Sequence, residues 1–240
     1  MNRQLFPVAI LAGGLAKRLR PLTESIPKAL LEINKEPFIF HQLRLLHSYG
    51  IRHVVICAGY LGEKIKEVIT DGKTFDLNVE YSFDGNTLLG TAGAIKHALP
   101  LLGDSFFVLY GDSYLECEYA VIQDTFTRSE KEGLMTVYRN QGQWDRSNVE
   151  FSDGRIVAYD KINQSRLMHY IDYGLGIFHK EVFRHIPDST PYDLTTVYQK
   201  LLSQNQLAAF ECKKRFYEIG SISGINELES YLLEKRKDAK

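Results

Sequence analysis

Length, composition and charge set broad limits on this chain. Its 240 residues are 44% hydrophobic and 25% charged, as is usual for a soluble globular protein. A formal net charge of −1 argues against nucleic acid or an anionic membrane as the main partner. The sequence has no apolar run of membrane-spanning length and no signal-peptide pattern at its start, so we expect a cytoplasmic location and no membrane association.

The first half of the chain alternates strand and helix patterns. Short apolar runs predict strands, and apolar residues on one helical face predict helices. This alternation predicts a parallel sheet with helices on both sides. Ligands of such sheets bind beyond the carboxyl ends of the strands, so the loops at Gly13-Gly14, Gly59 and Gly111-Asp112 are expected to converge. The predicted strands are 7–11, 53–57, 79–83 and 106–110, and the predicted helices are 38–49, 61–69 and 91–99.

The second half shows strand signals in closer succession. Ser152-Asp153-Gly154 is typical of a tight turn between two of its strands. No Pro- or Ser-rich linker, repeat or low-complexity stretch separates the two halves, so we expect a single domain over 1–240. The predicted strands are 133–139, 148–151, 156–159 and 171–178, with helices around 194–202 and 225–232.

The loop after the first strand carries the clearest chemical signal. Gly13 and Gly14 are adjacent glycines, which allow positive φ angles and a close approach of backbone N–H groups to an anion. Arg18 and Lys28 follow and supply cations. A triphosphate needs amides that hold its oxygens and cations that neutralise the charge on the α-phosphorus and the leaving pyrophosphate. A simple glycine turn with solvated arginines is the alternative interpretation.

Two other glycine motifs fit this loop poorly. It lacks the Gly-Lys-Ser/Thr end of a Walker P-loop. It also lacks the glycine spacing of a dinucleotide-binding fingerprint and an acidic residue at the end of the next strand. The pattern therefore favours a triphosphate site of another kind.

Motifs along nearly the whole chain resemble those of sugar-phosphate nucleotidyltransferases. The stretch from Leu11 to Leu30 is similar to the signature of that family. Any further motif alone is weak, but five in the family's order are specific. They are Leu89-Gly90-Thr91-Ala92-Gly93-Ala94 (base-recognition turn), Tyr110-Gly111-Asp112 (strand end with the metal-binding aspartate), Asp160-Lys161 (Glu-Lys pair), Asp172-Tyr173-Gly174 (Asn-x-Gly) and Glu218-Ile219-Gly220-Ser221 (late Asp-x-Gly-Thr).

The resemblance implies a fold, a reaction and a set of site residues. The fold is a Rossmann-like, GT-A-like three-layer α/β/α domain with a mixed, mostly parallel sheet, whose nucleotide-binding half is 1–132 and acceptor-binding half 133–240. The reaction is in-line transfer of NMP from an NTP to a sugar 1-phosphate, with Mg²⁺ as cofactor and pyrophosphate as the second product. The implied site comprises catalytic Arg18 and Lys28; nucleotide-binding Leu11, Ala12, Gly13, Gly14, Gly59, Gly90, Thr91 and Asp112; acceptor-binding Lys161, Asp172, Gly174 and Asn148; and metal ligands Asp112 and Glu218.

Three positions depart from the family's pattern. Glu218 stands in place of the usual Asp and is one methylene longer, so it reaches a metal if its backbone sits further back. Asp160 replaces a Glu, and Asp172 replaces an Asn. Because a carboxylate only accepts hydrogen bonds, the acceptor is expected to present hydroxyl or ammonium donors to Asp172. Lys161 is expected to meet the sugar phosphate.

The nucleotide, the acceptor and the class of protein stay open. The overall pattern is most similar to short bacterial members related to mannose- or heptose-1-phosphate guanylyltransferases. One alternative is a cytidylyltransferase acting on a small non-sugar phosphate or phosphonate, and another is a non-catalytic nucleotide-sugar sensor. A glycosyltransferase of similar architecture usually holds its metal with Asp-x-Asp, and no such triplet occurs in this sequence. The expected partners are the NTP and the sugar phosphate, with a homodimer as an open alternative to a monomer.

Overall fold

The computed structural model describes residues 4–238 and is organised around one mixed β-sheet. The strands are β1 (Val8–Leu11), β2 (Glu32–Ile33), β3 (Glu36–Pro37), β4 (His53–Ala58), β5 (Asn78–Phe83), β6 (Ser105–Tyr110), β7 (Ser113–Tyr114), β8 (Gly133–Arg139), β9 (Val149–Ser152), β10 (Arg155–Tyr159), β11 (Tyr170–His179), β12 (Leu207–Cys212) and β13 (Tyr217–Glu218). The helices are α1 (Phe38–Ser48), α2 (Gly62–Ile69), α3 (Gly90–Ala98), α4 (Tyr119–Ser129), α5 (Leu194–Ser203) and α6 (Ile222–Asp238).

The main sheet combines a parallel part with an antiparallel part. Over residues 4–238 it has nine strands in the order β10-β9-β11-β6-β1-β4-β5, with β8 beside β11 and β12 beside β8. β1 runs parallel to β4 and β6, and β4 runs parallel to β5. β11 runs antiparallel to β6 and β8. The parallel arrangement predicted for the first half is confirmed, and strands of the second half extend the same sheet.

Both faces of the sheet are covered by helices. Alternate residues of β1 point to opposite sides, so Val8 and Ile10 join one apolar cluster and Ala9 joins the other. The first cluster is completed by α1, α2 and α4, and the second by α3 and α5. The expected three-layer α/β/α architecture is therefore confirmed. Among residues 4–238, no helix is long and apolar enough to cross a membrane.

A third apolar cluster joins the end of the chain to the edge of the site. Leu228 and Leu232 of α6 pack with Ile219 and with Tyr114 of β7. β7 and β13 form a short antiparallel pair in which Glu218 lies opposite Ser113. The docking of α6 thus keeps the 217–219 segment beside the loop that follows β6.

Two sequence-predicted turns agree with the backbone. Gly50 follows α1 with a φ of 93°, as expected of a glycine that ends a helix. Asp153 and Gly154 have φ angles of 50° and 76° between β9 and β10, as a two-residue hairpin turn requires.

Candidate active site

The glycine loop follows β1 and rests against the loop that follows β4. The amide of Ala12 donates to the Cys57 carbonyl at 2.9 Å, and the amide of Tyr60 donates to the Gly13 carbonyl at 3.3 Å. A Cβ on Gly13 would lie 3.0 Å from the Gly59 nitrogen, and one on Gly59 would lie 2.8 Å from the Gly13 oxygen. Gly13 and Gly59 are therefore needed because the two loops pack backbone to backbone.

The prediction of positive φ angles at Gly13 and Gly14 is wrong. The left-handed residue of this loop is Ala16, with a φ of 46°, and neither glycine is among the positive-φ positions. The lack of side chains at Gly13 and Gly14 instead allows other groups to come close to their backbone. At Gly14 an added Cβ would meet nothing within 4 Å, so this backbone faces open space where a ligand can come close.

A cavity of about 350 Å³ opens beside this loop at the carboxyl ends of the parallel strands. Most of the predicted nucleotide-binding residues line it. Gly59 is absent from the lining because it lies behind Gly13, and Arg18 lies outside, beside Gly220. The predicted residues in the lining are Leu11, Ala12, Gly13, Gly14, Lys28, Gly90, Thr91 and Asp112.

Gly90 and Thr91 shape the side of the cavity where α3 begins. Gly90 has a φ of 70°, and a Cβ there would lie 2.8 Å from the Tyr192 carbonyl oxygen. The Thr91 hydroxyl accepts a 2.7 Å hydrogen bond from the Leu194 amide. These two residues therefore join the cavity wall to the segment that leads into α5.

Asp84 lines the same cavity and was missed by the sequence analysis. It follows β5, and its Oδ2 accepts a 3.1 Å hydrogen bond from the Leu89 amide. Burial raises the pKa of this carboxyl. Applying the strand-end rule to the predicted strand 79–83 would have indicated it, since Asp84 is the next residue.

Lys28 and Asp112 form an ion pair at the mouth of the cavity. The Lys28 Nζ lies 2.9 Å from Asp112 Oδ2, with side-chain exposures of 20% and 27%. Lys28 stands in a short 3₁₀ turn after Pro27, and Asp112 lies in the tight connection between β6 and β7. The structure therefore brings the predicted catalytic cation and the predicted metal ligand together.

Gln42 of α1 holds the connection that carries Asp112. Its Nε2 donates to the Ser113 carbonyl at 2.7 Å and to the Tyr110 carbonyl at 3.3 Å, and the side chain is buried. An amide that bonds the backbone on both sides of Asp112 restricts where that carboxylate can point. Nothing in the sequence pattern of α1 distinguished Gln42 from an ordinary helix residue.

Glu218 lies on the other side of Asp112. The amide of Ile219 donates to the Asp112 carbonyl at 3.0 Å, which fixes the two segments together. Burial and the negative charges of Asp112 and Asp145 raise the pKa of Glu218, against the opposing effect of Arg18 and Lys28. The predicted metal pair is thus close enough to interact electrostatically, and the site gathers acidic and basic groups within one small region.

The donor chemistry of this region fits a hard divalent cation. Mg²⁺ takes oxygen ligands and commonly uses one or two carboxylates, with phosphate oxygens and water completing its shell. Asp112 and Glu218 supply two carboxylates beside the cavity. Within the described range 4–238, no group of three or more His, Cys, Asp or Glu side chains forms an all-protein metal site. Two carboxylates are the number of protein ligands that Mg²⁺ commonly uses.

Lys161 and Asp172 meet on the far side of Tyr110. The Lys161 Nζ lies 3.5 Å from Asp172 Oδ2 and donates to the Tyr110 hydroxyl at 3.3 Å. Tyr110 also lines the cavity, so its ring lies between the cavity and the Lys161–Asp172 pair. Burial and the charge of Asp172 raise the pKa of Tyr110, which keeps its hydroxyl protonated.

Asn148 and Gly174 support this side of the site from within. The Asn148 Oδ1 accepts a 2.9 Å hydrogen bond from the Asp172 amide, and Asn148 is buried. Gly174 has a φ of 96°, and a Cβ there would lie 3.0 Å from Ser113 Oγ. A register irregularity in the pairing of β11 with β8 falls between Asp172 and Gly176, and such irregularities bend a strand locally. Both predicted residues thus shape the backbone around Asp172.

Trp144 packs on the adjacent loop. Its ring centroid is 3.3 Å from the guanidinium carbon of Arg215, which is also 4.6 Å from the Tyr217 ring centroid. The side chain is partly exposed, and the stack joins the loop before β9 to the segment that carries Glu218.

Comparison with known proteins agrees with this geometry. The profile of the family described as "Nucleotidyl transferase" matches residues 8–235. A UTP–glucose-1-phosphate uridylyltransferase of Synechocystis sp. is 29% identical over 77% of this chain and 52% of that protein. An N-acetylmuramate alpha-1-phosphate uridylyltransferase of Neisseria meningitidis is 27% identical over 92% of this chain and 96% of that protein. The catalytic subunit beta of mannose-1-phosphate guanylyltransferase of Danio rerio is 28% identical over 88% of this chain and 60% of that protein.

The chain therefore spans about half the length of the Synechocystis relative and nearly all of the Neisseria one. Two solved structures share its fold. HddC from Yersinia pseudotuberculosis, complexed with GMP-PN, has a TM-score of 0.78 at 22% identity and covers 95% of this chain and 100% of its own. The inositol-1-phosphate CTP transferase of T. maritima has a TM-score of 0.76 at 22% identity over 96% of this chain and 97% of its own. Since the family profile matches 8–235, the chain belongs to the nucleotidyl transferase family.

Proposed function

We propose that this protein transfers the nucleoside monophosphate of an NTP to a sugar 1-phosphate, giving an NDP-sugar and pyrophosphate. The observation that carries the proposal is the placement of two sets of groups on either side of Tyr110. The glycine loop, Lys28 and Asp112 line the cavity on one side, and the Lys161 ammonium lies on the other. Two anionic reactants need two such cationic positions with a short path between them.

The reaction joins an oxygen of the sugar phosphate to the α-phosphorus and breaks the bond from that phosphorus to the oxygen that bridges the α- and β-phosphates, which leaves as a terminal oxygen of pyrophosphate. The backbone around Gly14 accommodates the triphosphate at close range because it carries no side chain. Lys28 and Arg18 neutralise negative charge that shifts onto the leaving pyrophosphate. Lys161 holds the attacking phosphate and offsets its repulsion from the α-phosphate.

Asp112 and Glu218 would hold Mg²⁺. When bound, this cation screens the phosphate charges and draws electron density from the α-phosphorus. The raised pKa of Glu218 supports the assignment, because a bound cation would offset the repulsion of this half-buried carboxylate by Asp112 and Asp145.

Asp84 favours guanine as the base. A carboxylate in the cavity wall accepts hydrogen bonds, and guanine presents two adjacent donors, N1–H and the 2-amino group. Uracil presents one N–H flanked by two carbonyl oxygens, which a carboxylate repels. Guanylyl transfer to mannose- or heptose-1-phosphate is accordingly the specific reaction we propose, and the Danio rerio relative is a guanylyltransferase by name.

Cytidylyl transfer to a small non-sugar phosphate is the second candidate. It is favoured by the same Asp84, because the exocyclic amino group of cytosine is also a donor to a carboxylate. The groups that would bind the acceptor do not distinguish the two candidate reactions, since Lys161 would bind any phosphate monoester.

The test is a panel of the four NTPs with mannose-1-phosphate, heptose-1-phosphate, glucose-1-phosphate and phosphocholine, read as pyrophosphate release with Mg²⁺. The proposal predicts release with GTP and a sugar phosphate, and little with GTP alone. Release only with CTP and phosphocholine would favour the second candidate. Binding of an NTP without release for any acceptor would indicate a sensor instead. Asp104→Asn, which removes an exposed ion pair with Lys180, is the control variant with full activity.

A further inference from the structure

The carboxylate of Asp172 is bonded to groups from several segments of the fold. Its Oδ2 accepts from the Tyr110 hydroxyl at 2.9 Å and from the Tyr159 hydroxyl at 3.2 Å, and it lies 3.5 Å from the Lys161 Nζ. Its Oδ1 accepts from the Gly174 amide at 3.1 Å. Three hydrogen bonds and the ion pair with Lys161 thus engage Asp172, and Oδ2, which faces both tyrosines and the ammonium, has no acceptor position left.

The side chain is also closed to solvent. It is 2% exposed, whereas the Lys161 side chain that it faces is 38% exposed. Because the side chain is closed to solvent, a sugar hydroxyl could reach Asp172 only by displacing one of the groups that cover it. The expectation that Asp172 binds donors of the acceptor therefore does not suit its surroundings.

Lys161 depends on this carboxylate for its position. Its Nζ lies 5.1 Å from the centroid of the Tyr110 ring and 5.9 Å from that of the Tyr159 ring, and both tyrosine hydroxyls are bound to Asp172. The Asp172 carboxylate thus fixes the positions of the two tyrosine rings that flank the Lys161 ammonium, and it supplies the negative charge that pairs with it. A flexible lysine side chain loses rotamer freedom when it binds a ligand, so holding it in place in advance favours phosphate binding.

We propose that Asp172 is a positioning residue that acts through Lys161, and that it makes no contact with the acceptor. The inference rests on the proposed function, because it assigns to Lys161 the phosphate of the acceptor. It also links the two substrates, since Tyr110, one of the residues that Asp172 holds, lines the nucleotide cavity.

A double-mutant cycle tests this role. We expect Lys161→Met to raise the KM for the sugar phosphate about 100-fold and Asp172→Asn to raise it about tenfold, with the KM for the NTP changed less than threefold. Since Asp172 acts through Lys161, the double variant should lie within about threefold of Lys161→Met. Multiplied effects, near 1000-fold, would show an independent contact of Asp172 with the acceptor and overturn the inference. An unchanged KM in Asp172→Asn would also overturn it.

Glu116→Gln is the matched control. Glu116 is another buried carboxylate with lysine and tyrosine neighbours, but it lies away from the cavity and pairs with Lys235 of α6. We expect it to lower the Tm and to leave the KM for the sugar phosphate unchanged. A similar KM increase in this variant would mean that loss of any buried carboxylate produces the effect.

A crystal structure of Asp172→Asn without ligands separates this inference from the proposed function. If wild-type protein releases no pyrophosphate with any acceptor, the proposed function fails, while the structure still reports the position of Lys161. We expect its Nζ to leave the Tyr110 hydroxyl, and retention of the wild-type position would overturn the inference. If Asp172→Asn does not fold, Tyr159→Phe removes one of the bonds that hold Asp172 and is expected to raise the acceptor KM about threefold, whereas no rise would count against the proposal.

Discussion

Asp112→Asn separates the chemical role of the carboxylate from its structural one. The variant keeps the size of the side chain and removes the charge that faces Lys28 at 2.9 Å. A charge-assisted hydrogen bond of this kind contributes about 1.5–3 kcal/mol when well shielded. The pair is partly exposed, and the variant relieves repulsion from Glu218, whose pKa is raised in part by Asp112. We therefore expect a net loss of about 1 kcal/mol or less in the free energy of unfolding.

The effect on turnover should be much larger. Loss of a group that stabilises charge in the transition state commonly costs about 100- to 1000-fold in kcat, which is about 2.7–4 kcal/mol. The assay is pyrophosphate release as a function of Mg²⁺ concentration, with thermal unfolding measured on the same samples. A loss of about 1 kcal/mol corresponds to a Tm shift of about 2–4 °C for a chain of this size. Turnover within threefold of wild type, with an unchanged Mg²⁺ dependence, would refute the metal assignment.

Three further variants probe the base, the metal pair and the bend in β11. Glu218→Gln should lower turnover at least about tenfold. Because the pKa of Glu218 is raised in the folded protein, the ionised side chain destabilises the wild type above that pKa, and the variant should raise the Tm at pH 7. This gain in Tm should vanish as the pH falls below the ordinary pKa of 4.5. An unchanged or lower Tm at pH 7 would contradict the electrostatic account. Asp84→Asn should raise the KM for GTP about tenfold and leave that for UTP within threefold, because only guanine uses both donors, and equal changes in steady-state kinetics would count against the base assignment. Gly174→Ala should lower the free energy of unfolding by about 1–2 kcal/mol in denaturant titrations, because of its positive φ and the 3.0 Å approach to Ser113 Oγ. Gly142→Ala is its control, with a positive φ but nothing within 4 Å, and an equal loss there would mean that crowding contributes nothing.

The elements predicted well are those with strong local patterns. β4 and β6 are continuous apolar runs buried on both faces, and such runs identify central parallel strands. The β9–β10 hairpin was predicted from its turn residues, which need positive φ angles. In each case the residues themselves carry the information that decides the structure.

The elements that were missed depend on contacts between distant segments. β12 reads Leu-Ala-Ala-Phe-Glu-Cys, with little alternation and few β-branched residues, and it forms because its backbone pairs with β8. α4 begins without a side-chain cap, and one of its four buried positions is the polar Gln123, which interrupts the apolar face. The β7–β13 pair has two residues in each strand and is held by the docking of α6.

The candidate site shows the same division. The glycine loop, Lys28 and Asp112 were identified because their residue types and order match a motif, and the structure brings them to one cavity. The surroundings of Asp172 could not be predicted, because they depend on side chains from β6, β10 and β11 that meet only in the folded chain. Burial decides whether a carboxylate binds a ligand or holds its neighbours, and a sequence motif does not report burial.

The direction of attack is the central chemical claim, and an isotope experiment tests it most directly. The sugar 1-phosphate is prepared with ¹⁸O in its non-bridging phosphate oxygens and turned over with the preferred NTP, and both products are analysed by mass spectrometry. Attack by the acceptor phosphate on the α-phosphorus predicts that all of the label stays in the NDP-sugar and that the pyrophosphate contains none. Labelled pyrophosphate, or consumption of the NTP without a labelled NDP-sugar, would contradict the account.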